Sequence, residues 1–417
     1  MAEPHILVIS PFEGEMQPLA GGCAAAALED RGATVMGWDA EIYPDAPLPE
    51  SVDLILVSVQ QFEGVERGLA LAERLRSEAP NVPLMAFGQH AQINSSTFLD
   101  VMDAVVMNEP ERIAEELVDL AARRRSLKEV PALRTRDGRS KPPARGRLGV
   151  SLPARRLFPA LVHYPAHHTK YGLLGNIEVA RGCRHRCTYC SVYSAYDGHV
   201  AAYQPDVVIG DVLQLAEQGV RHFCFVDAEF FNSQTLGPRA MRRIVDELGS
   251  CTFEITTRVD HIIANAGLLE ELTEVGLRRV TSALEFPSDN ILRIFDKGID
   301  VTDMRRAIDT ASQIGLELNP TFIPFTPWVT YEELMGFEDF LVETGLARVV
   351  HPTALQTRLL LYKGSPLLSS PWLADIETVD RGLWLEWRHP DPRVDELWEE
   401  RRAEAEEEGH GRCCVRC

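Results

Sequence analysis

The apolar run Asn176 to Ala180 breaks off into three cysteines, in Arg181-Gly182-Cys183-Arg184-His185-Arg186-Cys187-Thr188-Tyr189-Cys190-Ser191-Val192. This C-x3-C-x2-C spacing constrains the chain more than any other feature. Three thiolates on one short loop after a strand can hold three irons of a [4Fe–4S] cube and leave the fourth iron open for a small chelating molecule. Zinc is the competing occupant, although it prefers a closed set of four ligands, usually as two separated pairs. Buried cysteines without any metal are the remaining reading.

With 417 residues the chain is long enough for two or three domains. No run of 18 apolar residues is present, so no membrane span is expected. Met1-Ala2-Glu3-Pro4-His5 lacks the basic start of a signal peptide, and the apolar stretch Ile6 to Ile9 is too short for one. The nine cysteines are therefore expected in a reducing, cytoplasmic setting, as metal ligands or buried thiols rather than disulfides. A net charge of −20 argues against general affinity for nucleic acid. Arg123 to Arg156 carries twelve Lys/Arg against Glu129 and Asp137, which reads as a solvated linker. Asp395 to Glu408 carries eight acids against Arg401 and Arg402, which reads as an exposed helix face.

Residues 1–122 alternate strand and helix. Short apolar runs at His5–Ser10, Thr34–Trp38, Asp53–Val59, Pro83–Phe87 and Ala104–Met107 suit buried parallel strands. Helices are expected at Leu19–Arg31, stopped by Gly32, at Val65–Ala79 and at Pro110–Ala122. The pattern gives a doubly wound, Rossmann-like α/β domain with ligand space at the strand C-termini. Residues 123–170, rich in Arg and Pro, read as a connector, with a hairpin at Pro131–Gly138 turning on Asp-Gly. His163, His167 and His168 are expected on a surface loop of it. From 171 to 370, apolar strands at Asn176–Val179, Phe223–Val226, Phe253–Thr256, Val280–Leu284, Leu318–Ile323 and Val349–Leu355 alternate with helices. They make a partial (β/α)6 barrel whose site lies at the strand C-termini, where the cysteine loop follows the first strand. Residues 371–417 form a small C-terminal appendage that packs through Trp372, Trp384, Trp387 and Trp398.

Residues 1–122 resemble the cobalamin-binding domain found ahead of many radical enzymes. Gly88-Gln89-His90-Ala91-Gln92 stands where that domain has a Gly-Gly-x-His-Ala-Thr-like turn, and Asp103 to Glu109 matches its next strand and Gly-Glu turn. No Asp-x-His-x-x-Gly motif supplies a lower-face cobalt ligand, and Gln89 and Asn108 replace glycines. The resemblance implies the fold and admits cobalamin as a ligand.

Taken together, residues 1 to about 370 resemble a radical S-adenosylmethionine (SAM) enzyme with such an N-terminal domain. The resemblance implies that Cys183, Cys187 and Cys190 ligate the cluster and that SAM's amino and carboxylate groups chelate the open iron. A reductant such as flavodoxin or ferredoxin then supplies the electron that cleaves a C–S bond of SAM. It implies further that Tyr189 lies near the adenine and that Asp227 and Glu229, at the end of the second strand, bind the SAM ammonium. Arg258 would grip the SAM carboxylate and Glu285 the ribose hydroxyls. Without the resemblance, Arg258 and Glu285 read as halves of internal ion pairs, and Asp227 and Glu229 as surface carboxylates. Thr321-Phe322-Ile323-Pro324-Phe325 lacks the glycines of the corresponding family turn, and Gln356 and Arg358 are candidate substrate contacts.

The chain ends in Cys413, Cys414 and Cys417, flanked by Arg412 and Arg416. Such thiols can bind a soft thiophile, ligate a second cluster or relay redox equivalents. The tail Arg-Cys-Cys-Val-Arg-Cys is similar to the Arg-Cys-Cys-Leu-Lys-Cys tail of a radical SAM family of arsinothricin biosynthesis. That similarity implies transfer of SAM's 3-amino-3-carboxypropyl group to trivalent arsenic. Arsenite, the small-molecule substrate, would be held by the tail thiols, and methylthioadenosine left behind. Two other functions stand beside it: a cobalamin-dependent radical SAM methylase or rearrangement enzyme acting on a peptide or natural product, and a non-catalytic iron–sulfur or metalloid sensor.

Overall fold

A computed structural model describes residues 3–107, 109–141, 148 and 151–407 of the chain. Two compact units emerge, Met1–Arg181 with Ala201–Arg221, and Gly182–Val200 with His222–Cys417.

The first unit is built on a sheet of order β2-β1-β3-β4-β5-β6-β7. β1 (His5–Ser10), β2 (Thr34–Asp39), β3 (Leu54–Ser58), β4 (Leu84–Phe87) and β5 (Ala104–Val106) run parallel. Their apolar runs do not alternate because both faces are covered; every residue of β3 is buried. Helix α1 (Leu19–Glu29) is buried on nearly every side, and its small residues let other chain come close. A Cβ on Gly21 would meet Phe158 at 2.9 Å. The predicted hairpin forms, but it turns on Arg136-Asp137 and not on Asp-Gly: β6 (Leu133–Thr135) pairs antiparallel with β5, and β7 (Gly138–Arg139) returns along it with Thr135 opposite Gly138. The chain leaves β1 toward β2 on one side and resumes at β3 on the other, which opens a crevice at the carboxyl ends of β1 and β3.

The Arg/Pro-rich stretch is less solvated than its composition suggests. Phe158, Leu161 and Tyr164 are core residues. Arg155 is 2% exposed and pairs bidentately with Asp211, Nε to Oδ1 at 2.6 Å and Nη2 to Oδ2 at 2.8 Å. Its Nη1 also donates to Gln17 Oε1 and Asn176 Oδ1. The surface-loop expectation holds for His163 and His168, which are exposed, and fails for His167. That ring is fully buried, accepts the Gln17 N–H at Nε2 (2.8 Å) and donates from Nδ1 to the Leu174 carbonyl (2.7 Å). Two backbone groups that would otherwise be orphaned in the core hold it there.

The second unit carries four parallel strands, His222–Phe225, Thr252–Thr256, Leu277–Glu285 and Glu317–Phe322, paired in that order. Helices Leu236–Leu248, Ala266–Val275, Val301–Gln313 and Tyr331–Glu343 complete the β/α repeats. The strand expected at Val349–Leu355 does not form. Its residues follow a 3-10 turn at Leu346–Arg348 and make another at Pro352–Leu355, where Pro352 removes a ladder N–H and His351 caps Thr353. Further on, Leu361–Tyr362, Thr378–Asp380 and Trp384–Trp387 form a small antiparallel sheet. Arg358 lies between the rings of Trp387 (3.7 Å) and Trp398 (4.6 Å) and pairs with Asp395 at 2.9 Å. The arginine thus belongs to the packing of the appendage. No helix of the described residues is long and apolar enough to cross a membrane.

Replacing Arg155 by Met leaves Asp211 buried without its cation. Chemical denaturation is expected to show a loss of about 3–5 kcal/mol, much of it recovered when Asp211 is also made apolar. Equal losses in the single and double variants would contradict this account of the pair.

Candidate active site

The cysteine loop is pinned at both ends. Gly182 sits at φ +94°, and a Cβ there would lie 2.2 Å from the His199 carbonyl oxygen, so the turn excludes any side chain. Asn232 clamps the loop, donating from Nδ2 to Gly182 O (2.8 Å) and accepting the Arg184 N–H at Oδ1 (3.2 Å). Thr188 donates its N–H to Phe295 O and its hydroxyl to Ile294 O, both at 3.0 Å. Cys183 and Cys187 are buried and Cys190 is half-buried.

Each sulfur has an N–H donor. The backbone N–H of His185 serves Cys183, those of Tyr193 and Val192 serve Cys190, and Arg258 Nη1 lies 3.2 Å from Cys187 Sγ. Burial pushes the Cys183 thiol up to about 11 and raises that of Cys190, and repulsion between the neighbouring sulfurs adds to it. A bound cation supplies the charge that deprotonates such thiols. Three thiols on one anchored loop, each with a donor to share its negative charge, fit a cluster held through three irons.

Around the loop stand the carboxylates and cations of the strand ends. Asp227 and Glu229 are buried, at 4% and 1% exposure, and are not surface groups. Glu229 Oε1 accepts from the Thr257 hydroxyl (2.6 Å) and the Phe231 N–H (2.9 Å), and Oε2 from the Arg258 N–H (2.9 Å). His261 Nδ1 lies 2.9 Å from Oε1. Burial alone would raise the Glu229 carboxyl, but the nearby His261 and the bonds with Thr257 and Phe231 hold it below the usual range. The same pairing lifts His261 above its ordinary value despite partial burial. His185, edge-on to His261 at 5.0 Å, is pushed down to about 4 by burial and by the nearby Arg258 and His261. One ligand atom from each of His185, Glu229 and His261 lies within 4.8 Å of the others, and a cavity of about 440 Å³ opens beside the two rings. The two Glu229 oxygens already accept three hydrogen bonds and face His261.

Glu285 and Tyr189 come together, with a third residue that sequence reasoning missed. Lys297 Nζ is 2.5 Å from Glu285 Oε1 and 3.0 Å from the Tyr189 hydroxyl, which itself donates to the same oxygen. Glu285 and Lys297 are 2% and 3% exposed, and Glu285 is held at φ +65°, a strained value for a residue with a side chain. Arg258 links the two groups by donating to the Lys297 carbonyl. His185, His261, Asn232 and Lys297 are thus site residues with no spacing signal of their own. Cys413, Cys414 and Cys417 lie outside the described residues.

Residues 177–341 match the model of the radical SAM superfamily. This stretch is a radical SAM domain. Its presence implies a [4Fe–4S] cluster and SAM as the working groups. Over 340 residues the chain is 23% identical to the hopanoid C-3 methylase of Methylococcus capsulatus, covering 78% of this chain and 64% of that protein. An uncharacterized methyltransferase of Pyrococcus horikoshii is 27% identical over 240 residues, or 56% of this chain and 51% of the relative. The chain thus matches less than two thirds of the length of either relative. Among solved structures, the cobalamin-dependent SAM radical enzyme OxsB superposes with a TM-score of 0.76 at 14% identity, over 98% of this chain and 67% of its own. The radical SAM methyltransferase TsrM of Kitasatospora setae gives 0.68 at 20% identity, over 82% and 72%. At these identities the likeness is one of fold: a mixed α/β chain in which a parallel Rossmann-like sheet accompanies the curled half-barrel of the radical SAM domain.

The Glu229–His261 pair makes the domain's ionisation testable. Its stabilisation is complete below the ordinary histidine value of 6.5 and is lost as pH rises through the higher folded value of His261. On the acid side it is lost as pH falls through the depressed value of Glu229. NMR titration of the metal-free protein is expected to place His261 above 6.5 and to move it down in Glu229→Gln. A midpoint that ignores the substitution would disprove the pairing.

Proposed function

We propose that this radical SAM enzyme is a cobalamin-dependent methylase. The observation that carries the reading is the union, in one chain, of a radical SAM domain with a parallel sheet of order β2-β1-β3-β4-β5. The methylase names of its relatives and the cobalamin dependence of OxsB support it.

The residues at the carboxyl ends of β1, β3 and β4 fit the amide and nucleotide groups of a corrinoid. Ser10 Oγ is buried there without a hydrogen-bond partner among the described residues. Gln60 reaches from Ser58 Oγ (3.2 Å) to the Gln89 N–H (3.3 Å). Gly88, at φ +104°, lies so near that a Cβ would meet Gln60 Nε2 at 2.5 Å and Val59 O at 2.7 Å. Glu13, between β1 and α1, accepts the N–H groups of Leu19 and Ala20 at Oε1 and keeps Oε2 buried without a hydrogen-bond partner among the described residues, and burial lifts its carboxyl to about 7.

When bound, the cluster supplies the electron that cleaves SAM, and cobalamin supplies a carrier for the methyl group. The protein's part is to hold SAM. In this reading Glu229 gives up His261 to take the SAM ammonium, while Glu285, fixed by Lys297, takes the ribose, with Tyr189 beside the adenine. Burial of these groups keeps water from the reactive centre. A flavodoxin or ferredoxin in the cytoplasm serves as reductant. A second reading, aminocarboxypropyl transfer to arsenite, rests on the thiols Cys413, Cys414 and Cys417 alone.

The test is an anaerobic incubation of the reconstituted chain with SAM and reductant, with and without cobalamin and arsenite, read by mass spectrometry. A methylase leaves S-adenosylhomocysteine in a cobalamin-dependent manner. Methylthioadenosine that forms only with arsenite would overturn this reading in favour of the second, and intact SAM over a reduced cluster would favour a sensor.

A further inference from the structure

Arg258 precedes the helix Val259–Ala264, and its guanidinium is turned inward, 11% exposed. Asp260 clamps it, accepting from Nε at Oδ1 (2.8 Å) and from Nη2 at Oδ2 (3.3 Å). Nη2 also donates to the Lys297 carbonyl. These contacts aim Nη1 at Cys187 Sγ, 3.2 Å away. Where a grip on the SAM carboxylate is expected, most of the guanidinium fork is committed to the protein itself.

We propose that Arg258 tunes the iron–sulfur cluster, donating a charged hydrogen bond to the sulfur of Cys187 and thereby raising the cluster's reduction potential. The inference rests on the reading of Cys183, Cys187 and Cys190 as cluster ligands. Reduction adds a negative charge to the cluster. A fixed cation 3.2 Å from one ligand sulfur stabilises the reduced form more than the oxidised one, and more strongly in a half-buried site than in water. Cys183 and Cys190 receive backbone N–H groups, which are neutral dipoles, and Lys297 acts on Cys190 only through space while paired with Glu285, so the charged hydrogen bond falls at Cys187. Asp260 and the Lys297 carbonyl hold the guanidinium in place before the electron arrives, so no reorganisation is needed when it does. Asp260 offsets part of the field but leaves the Nη1 hydrogen on the sulfur. Arg258 is therefore a positioning and tuning residue rather than a group that touches the reacting bond.

The experiment uses the full-length, anaerobically reconstituted chain without SAM, with the midpoint potential read by EPR-monitored titration. Arg258→Gln is expected to shift the midpoint to a more negative value, and Arg258→Lys, which keeps the charge but not the fork, to shift it less. Wild-type protein grown on arginine carrying 15N in its guanidino group is expected to show a 15N coupling to the reduced cluster in pulsed EPR, absent from Arg258→Lys. An unchanged midpoint in both variants overturns the proposal, as does a coupling that is missing from the wild type or persists in Arg258→Lys. Should Arg258→Gln fail to assemble a cluster, Arg258→Lys and the labelled wild type still decide. A wild-type chain that takes up no iron–sulfur cluster would instead sink the reading of the cysteines, and this proposal with it.

Discussion

Three buried charges of this site are held in pairs. Glu229 lies against His261, Glu285 against Lys297, and Arg258 against Asp260 and the sulfur of Cys187. An isolated carboxylate or guanidinium at such depth would cost several kcal/mol, so each partner makes the other tolerable. The pairs stand at the ends of successive parallel strands, His222–Phe225, Thr252–Thr256 and Leu277–Glu285, and converge on one loop of three cysteines. The strain at Glu285, with φ at +65°, is held in place by Lys297 and Tyr189. The paired groups are held in place by their partners, so the site is organised before anything binds.

The loop itself depends on contacts that contribute no chemistry. Gly182 makes the turn without a side chain, Asn232 holds the chain on either side of Cys183, and Thr188 ties the middle of the loop to the Ile294–Phe295 backbone. These bonds keep the thiols together although burial and mutual repulsion resist their ionisation. The first unit shows the same economy in another form, with Arg155 and His167 satisfying polar groups of the core from a segment that looks solvated by composition.

Much of the fold was legible because parallel strands buried on both faces leave unbroken apolar runs, and five of these in the first unit and four in the second fall where expected. The run Val349–Leu355 misled because apolar content alone does not make a strand, and Pro352 with the His351 cap favours a turn. His167 misled because its burial depends on Gln17, 150 positions earlier in the chain. Arg358 resembled a substrate contact and proved to be a cation between two tryptophans. Tyr189, Asp227, Glu229, Arg258 and Glu285 were singled out by what the family resemblance implies, not by spacing. His185, His261 and Lys297 were not, since a histidine or lysine beside an apolar stretch is more often solvated than buried.

What the sequence determined by itself is the grouping of three cysteines and the class of sheet. Cys183, Cys187 and Cys190 are bound to one short loop by covalent spacing, and both-face burial writes itself into apolar runs. Only the tertiary structure decided which charge meets which. Glu285 and Lys297 are 12 residues apart, and Arg258 and Cys187 are 71 apart. Their meeting depends on strand order, register and the depth of burial, which local spacing does not encode. The physical reason is that a thiol's place on a loop is a matter of a few bonds, whereas an ion pair forms wherever the packed sheet leaves two charges no other way to be solvated.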